Sequence, residues 1–192
     1  AVATLRPGEG KFGGAVAVEE GTTNLLTTNQ SSVETGTAGF TVIGAGTTLS
    51  RTTSEKWHGQ ASLQVVCDGS VPYQGFAATL SQSAFVAGAT YTASVYLKGT
   101  GVVRVFLWQT NPSIVIGSQK AVTLTNEWQR VEVTVTMPET LSGGYGIRVD
   151  TSSTPKAVTF YADGLQIEAK PFATSFVDGT RAAGVLKYQA AV

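Results

Sequence analysis

Between Asn24 and Ala169 the chain runs in short stretches of alternating apolar and polar residues, broken by clusters of Gly, Asn, Ser and Pro. Alternation with period two marks half-buried strands, and turn residues at regular spacing mark an all-β sandwich or barrel. The pattern predicts strands over 40–43, 47–52, 61–67, 73–80, 90–98, 102–109, 114–116, 119–124, 128–137, 144–150 and 157–168, with no convincing helical period. In 90–98, Tyr91, Ala93, Val95 and Leu97 share one face, with Thr92, Ser94, Tyr96 and Lys98 opposite. In 128–137, Val131, Val133, Val135 and Met137 oppose Arg130, Glu132, Thr134 and Thr136. Each of these strands is expected to have one core face and one wet face.

Strand 102–109 departs from that rule. Val103, Val105 and Leu107 occupy one face, and Arg104, Phe106 and Trp108 the other. Antiparallel sheets usually keep one face polar, so a second face bearing Phe and Trp calls for a covering layer or a ligand platform. Outside 24–169 the alternation fades. Residues 1–23 hold five glycines and a proline, with only 15–19 suited to a short strand, and 170–192 show no clear alternation. The predicted organisation is an N-terminal arm (1–23), an antiparallel β-sandwich (24–169) and a C-terminal arm (170–192). Arms this rich in glycine are expected to pack across the sandwich or onto neighbouring subunits of a homo-oligomer, with strand addition to a sheet edge as one route.

Composition agrees with this reading. Twenty-seven Thr, 15 Ser and 22 Gly make up a third of the 192 residues, and 42% are hydrophobic, which excludes a disordered chain and a helical bundle. A formal net charge of zero removes the basic field that nucleic-acid binding needs. No stretch approaches the ~18 apolar residues of a membrane helix. Cys67, the only cysteine, lies in a strand-like run and is expected to be a small buried hydrophobe. The chain starts at Ala1 and reads as a processed product or a piece of a longer one.

Catalysis finds little support. Nucleophilic triads need an oriented histidine, and the single His58 sits in the turn-like KWHGQ. A paired-carboxylate glycosidase has thirteen acidic residues to draw on, none in a distinctive aromatic setting. The expectation is no catalytic residue. Sugar binding is better served, because sugars present C–H patches that stack on rings and hydroxyls that need planar hydrogen-bonding groups. Arg104, Phe106 and Trp108 offer that mixture on one strand, and Tyr73, Gln74 and Phe76 offer it in VPYQGF.

Several local motifs occur in a familiar order: Asn24-Leu25-Leu26, Glu34, Gly39-Phe40, Glu55 to Leu63 (EKWHGQASL), Tyr91-Thr92-Ala93-Ser94 with Lys98, Glu127-Trp128, and Phe160 to Leu165 (FYADGL). This series resembles jelly-roll carbohydrate-binding modules of families four, nine and twenty-two. The resemblance covers 24–169. It departs from the family pattern at Trp57 and His58, where His and Ser are common, at Phe40 for Trp, and at Gly164 for a second Asp. It implies a concave glycan cleft formed by the strands carrying Tyr73, Gln74 and Phe76 and Arg104, Phe106 and Trp108, with Gln109, Tyr96, Tyr145 and Arg148 along it. It also implies a structural calcium held by Glu34, Asp163 and a carbonyl of Lys56 or its neighbours. The flanks, GKFGGAV and FATSFV among them, resemble segments beside such modules in phage tail or virion proteins and bacterial surface proteins. The expected setting is therefore a virion or cell surface.

Two readings follow: a non-catalytic module that binds poly- or oligosaccharide, and an assembly or decoration subunit that keeps the jelly roll without sugar binding. They are separated by whether Tyr73, Phe76, Phe106 and Trp108 are open or covered.

Overall fold

The computed structural model describes residues 4–7, 14–17 and 20–184. Among them, β1 (Thr4–Pro7) pairs antiparallel with β2 (Gly14–Ala17), while residues 18–19 of the predicted strand 15–19 lie outside the described residues. The short β3 (Thr22–Thr23) follows, then helix α1 (Thr28–Ser32). The sandwich strands come next: β4 (Phe40–Ile43), β5 (Thr47–Thr52), β6 (Ser62–Cys67), β7 (Gly75–Leu80), β8 (Thr90–Gly99), β9 (Gly101–Gln109), β10 (Ile114–Leu124), β11 (Gln129–Thr136), β12 (Tyr145–Asp150) and β13 (Val158–Glu168). The last described strand, β14 (Thr180–Arg181), pairs with β3.

These strands form two five-stranded antiparallel sheets, ordered β10-β9-β12-β7-β4 and β11-β8-β13-β6-β5. Their inner faces build the core. Val103, Val105, Leu107, Ile147, Val149 and Phe76 from the first sheet meet Leu63, Val65, Val95, Leu97, Phe160 and Ala162 from the second, all without exposed surface. The alternation that predicts the strands is thus the alternation that fills the core. Cys67 belongs to this core, and burial pushes its thiol up to about 11, as befits an inert hydrophobe. No helix among the described residues is long and apolar enough to cross a membrane.

Three local features differ from the sequence expectation. Strands 114–116 and 119–124 are one strand, β10, with a register shift between Ile116 and Lys120 that Gly117 permits at φ 72°. Helix α1 has only five residues, too few to show a period. It is defined by its start: Thr27 Oγ1 accepts the Gln30 N–H and Gln30 Oε1 accepts the Thr27 N–H, a capping box.

The outer face of β8 is also not wet. Thr92 and Ser94 are buried beneath residues 170–176, through bonds from Thr92 Oγ1 to the Lys170 carbonyl and from Arg130 to Ser94 Oγ and the Thr174 carbonyl. The described part of the C-terminal segment therefore covers the β11-β8-β13 face. Residues 185–192 of the predicted arm lie outside the described residues.

Candidate functional site

Arg104, Phe106 and Trp108 on β9 lie beside Asp150, Arg148 and Gly146 on β12, residue opposite residue. All six belong to the outer face of the first sheet, since their neighbours Val105, Leu107, Ile147 and Val149 point into the core. Gly146 carries no side chain where a Cβ would run into the Ala78 carbonyl. The side chains above this face form a cleft of about 270 Å³ lined by Tyr73, Arg104, Phe106, Trp108, Gln119 and Arg148, with Ser113 to Val115 on its rim.

Rings and guanidiniums alternate along the cleft. Arg104 Cζ lies 4.8 Å from the Tyr73 ring centre and 5.5 Å from that of Phe106. Arg148 Cζ lies 5.6 Å from Phe106 and 5.3 Å from Trp108. The row Tyr73, Arg104, Phe106, Arg148, Trp108 is thus a continuous cation–π ladder.

Asp150 anchors it from below with no exposed surface. Its Oδ1 accepts from Arg104 Nε and Nη2 at 3.0 and 2.6 Å, and its Oδ2 accepts from Arg148 Nε at 2.8 Å, with Arg148 Nη2 at 2.7 Å. Burial pushes the Asp150 carboxyl above its ordinary value while the two guanidiniums pull it down. Arg104 Nη1 also donates to Gln119 Oε1, and Trp108 Nε1 donates to Ser113 Oγ. At the far end, Tyr73 sits at φ 61°, a left-handed backbone rarely taken by aromatic residues, with its side chain well exposed.

The structure separates the predicted glycan residues. Tyr73, Arg104, Phe106, Trp108 and Arg148 come together in the cleft, although Phe106 is only 1% exposed beneath its two arginines. Phe76 and Tyr145 do not reach it. The Phe76 side chain points into the core against Phe40 and Phe160, and that of Tyr145 packs on Phe85 with its hydroxyl accepting the Ser142 N–H. Gln74 is buried too: it braces the neighbouring loops by donating to the Ala45 carbonyl and Asp68 and accepting from Gly69 N–H. Gln109 is spent on the Asn111 carbonyl and Ser142. Tyr96 belongs to the other sheet, stacked on Trp57 at 3.5 Å.

The residues missed by sequence reasoning are Asp150 and Gln119. Asp150 was legible, since it lies two positions from Arg148 on one strand and so shares its face. Gln119 depended on the β10 bulge.

The expected calcium residues also have assigned partners. Asp163 has no exposed surface; its Oδ2 accepts from Trp57 N–H and His58 N–H, both at 2.9 Å, and its Oδ1 from Gly164 N–H at 2.7 Å. Glu34 Oε1 accepts from Gln60 N–H at 2.8 Å. The turn that follows Lys56 thus presents N–H donors to both carboxylates, a polarity suited to anions. Calcium takes six to eight oxygens, and no group of three or more His, Cys, Asp or Glu suited to a metal occurs among the described residues. As placed, the Asp163 and Glu34 oxygens that face the turn accept N–H groups, so calcium held by Glu34, Asp163 and a carbonyl of Lys56 or its neighbours would require the turn to re-aim its carbonyls. Burial pushes the Asp163 carboxyl up to about 6. Gly164, where a second acid was noted as common, adopts φ 55° and leaves room for the Trp57 ring, which a Cβ would meet at 2.7 Å.

No protein-family model matches the chain, and no curated protein matches its sequence. Solved structures do share its fold. A xylan-binding domain of carbohydrate-binding family 22 superposes with a TM-score of 0.61 at 19% identity, covering 75% of this chain and 95% of that one. A family 4 carbohydrate-binding module gives 0.59 at 18% identity, covering 75% and 100%. The family 22 and hydrolase modules of a Clostridium thermocellum endo-1,4-β-D-xylanase, solved with xylohexaose, give 0.60 at 19% identity over 81% of this chain, which spans 30% of that protein. The fold is the antiparallel jelly roll of carbohydrate-binding modules.

Proposed function

We propose that this chain is a non-catalytic glycan-binding module whose binding surface is the cleft between Tyr73 and Trp108. The observation that carries the reading is the row of guanidiniums and rings above the outer face of β9 and β12, in which Tyr73 and Trp108 are accessible at the two ends, Arg104 and Arg148 are partly exposed between them, and Phe106 is buried beneath the arginines. Rings give stacking area for sugar C–H faces, and fixed guanidiniums give directed N–H donors for sugar oxygens. The fold shared with xylan-binding modules supports the same reading. Lack of catalysis is supported by the cleft's chemistry: none of its lining residues is acidic, and Asp150 beneath them is enclosed by two arginines. The single histidine, His58, packs against Phe176 and Trp57 away from the cleft lining.

The decoration-subunit reading requires a covered face. Of the four rings that separate the readings, Phe76 and Phe106 are buried while Tyr73 and Trp108 are accessible, and the described flanking residues 170–176 lie against the opposite sheet, so the two accessible rings support the binding reading. Display on a virion or cell surface, beside other subunits and in a homo-oligomer, rests on the resemblance of the flanks and is proposed on that basis.

Affinity gel electrophoresis against a panel of soluble polysaccharides tests the proposal. Wild-type protein is expected to be retarded by at least one polysaccharide, and Trp108→Ala to migrate freely with its melting temperature preserved. Free migration of the wild type across the whole panel overturns it.

A further inference from the structure

Resting on that reading, we infer that the cleft is built for an anionic sugar, one carrying a carboxylate or a sulfate ester, rather than for a neutral chain. The chain as a whole is neutral, yet among the described residues the charged side chains lining the cleft are Arg104 and Arg148. The compensating Asp150 is wholly buried beneath them, so the face a ligand meets is cationic.

A count of donors and acceptors leads to the same ligand. A guanidinium has five N–H groups. Arg104 uses Nε and Nη2 on Asp150 and Nη1 on Gln119, and Arg148 uses Nε and Nη2 on Asp150, so both retain N–H donors. Side-chain acceptors are fewer, namely the Gln119 amide oxygen and the hydroxyls of Ser113 and Tyr73. Gln119 Oε1 already accepts from Arg104, and Ser113 Oγ from Trp108 Nε1. A neutral sugar offers hydroxyls that must donate as well as accept, and this cleft supplies few places for them to donate. A carboxylate or sulfate only accepts, and a planar guanidinium with fixed orientation meets it with paired, charge-assisted bonds.

The contact of each arginine with two rings adds to the fit. Arg104 lies near the rings of Tyr73 and Phe106, and Arg148 near those of Phe106 and Trp108, and these contacts add to the Asp150 bonds that fix both guanidiniums. Both positive charges stay in place without ligand, which lowers the ordering cost of binding. Tyr73 and Trp108 at the two ends provide stacking surface for the sugar rings themselves.

Binding is tested on the whole chain by affinity electrophoresis and calorimetry with four probes: neutral xylan, glucuronic-acid-substituted xylan, polygalacturonate and dextran sulfate. Affinity for at least one anionic probe is expected to exceed that for neutral xylan by about tenfold or more and to fall steeply toward ~0.5 M NaCl. Preference for the carboxylated probes identifies a uronic acid, and preference for dextran sulfate a sulfate ester. Equal, salt-insensitive binding to neutral and anionic probes overturns this inference and leaves glycan binding intact; no binding to any probe overturns both. Gln119→Glu provides a second check, since residue 119 is exposed and the change sets a carboxylate beside Arg104. It is expected to weaken anionic-glycan binding several-fold in a protein that melts normally, and unchanged affinity in that protein counts against the inference.

Discussion

Asp150 and Arg104 stand directly opposite each other on β12 and β9, and two nitrogens of the guanidinium bond a single oxygen of the buried carboxylate. The other oxygen holds Arg148, two residues back along the same strand. One buried charge therefore fixes two partly exposed ones, and with them the spacing of the rings they stack on. The cleft is a consequence of strand register: a shift of one residue between β9 and β12 would send one partner into the core.

Asp150→Asn tests the anchor. The variant keeps the shape of the side chain and leaves two guanidiniums facing an amide, so unfolding free energy is expected to fall by about 3 kcal/mol. Urea denaturation measures it. A loss below about 1 kcal/mol would mean that stacking and Gln119 hold the arginines unaided.

Phe76→Ala and Trp108→Ala separate core from cleft. Phe76 has no exposed surface and packs between Phe40 and Phe160, so its loss is expected to cost about 3–5 kcal/mol. Trp108 is part-exposed, and its replacement is expected to cost about 1 kcal/mol or less while removing glycan binding. Chemical denaturation of both variants decides the matter, and a reversed order would contradict the assignment of faces.

The same pair shows what the sequence could reveal. The opposition of Val103, Val105 and Leu107 to Arg104, Phe106 and Trp108 is a property of period two and was readable directly. The inward turn of Phe76 was not, because it depends on where β7 begins. The strand starts at Gly75, and Tyr73 and Gln74 belong to the preceding loop, where a left-handed residue breaks the alternation. Tyr145 was expected along the cleft, yet its parity with Ile147 and Val149 on the same strand already placed it on the core face. Packing of the arms across the sandwich is an expectation of the sequence, but the face they cover is not readable from it, because the segment after β13 has no period and is docked by side-chain to backbone bonds at scattered positions.

Asp163 makes stability depend on pH. Its carboxyl titrates near 6 in the folded protein, above the 3.8 of an exposed aspartate, so the folded state holds the extra proton between those values. Stability is then expected to fall as pH rises from about 4 to above 6, by up to about 3 kcal/mol from this group. Asp163→Asn should flatten that part of the profile in denaturation measured from pH 4 to 8. An identical slope in both proteins would assign the dependence to other groups.

Calcium provides a separate test of the same turn. Because N–H donors occupy the oxygens of Asp163 and Glu34 that face the turn, neither millimolar calcium nor EDTA is expected to move the melting temperature measurably. A clear rise with calcium, abolished in Glu34→Gln, would show that the turn rearranges to offer carbonyls and would restore the ion that the family resemblance implies.

Glu168 joins the two ends of the chain. Its Oε1 accepts from Gln166 Nε2 and Thr174 N–H, and its Oε2 from Thr22 Oγ1 and Thr174 Oγ1, with all four bonds between 2.6 and 2.9 Å. Every donor around it points inward, so Glu168→Gln sets an amide N–H₂ against at least one of them at a cost of about 2 kcal/mol. Phe176 packs on Trp57 and His58, and the segment 170–178 is fastened to β13 through Glu168 and Gln166, which bond Thr174 and Val177. The variant is therefore expected to open that segment before the sandwich melts. Hydrogen exchange should speed up first at the amides of Thr174 and Val177, which bond Glu168 and Gln166, while β9 and β12 stay protected. Uniform acceleration across both sheets would show instead that Glu168 supports the whole fold.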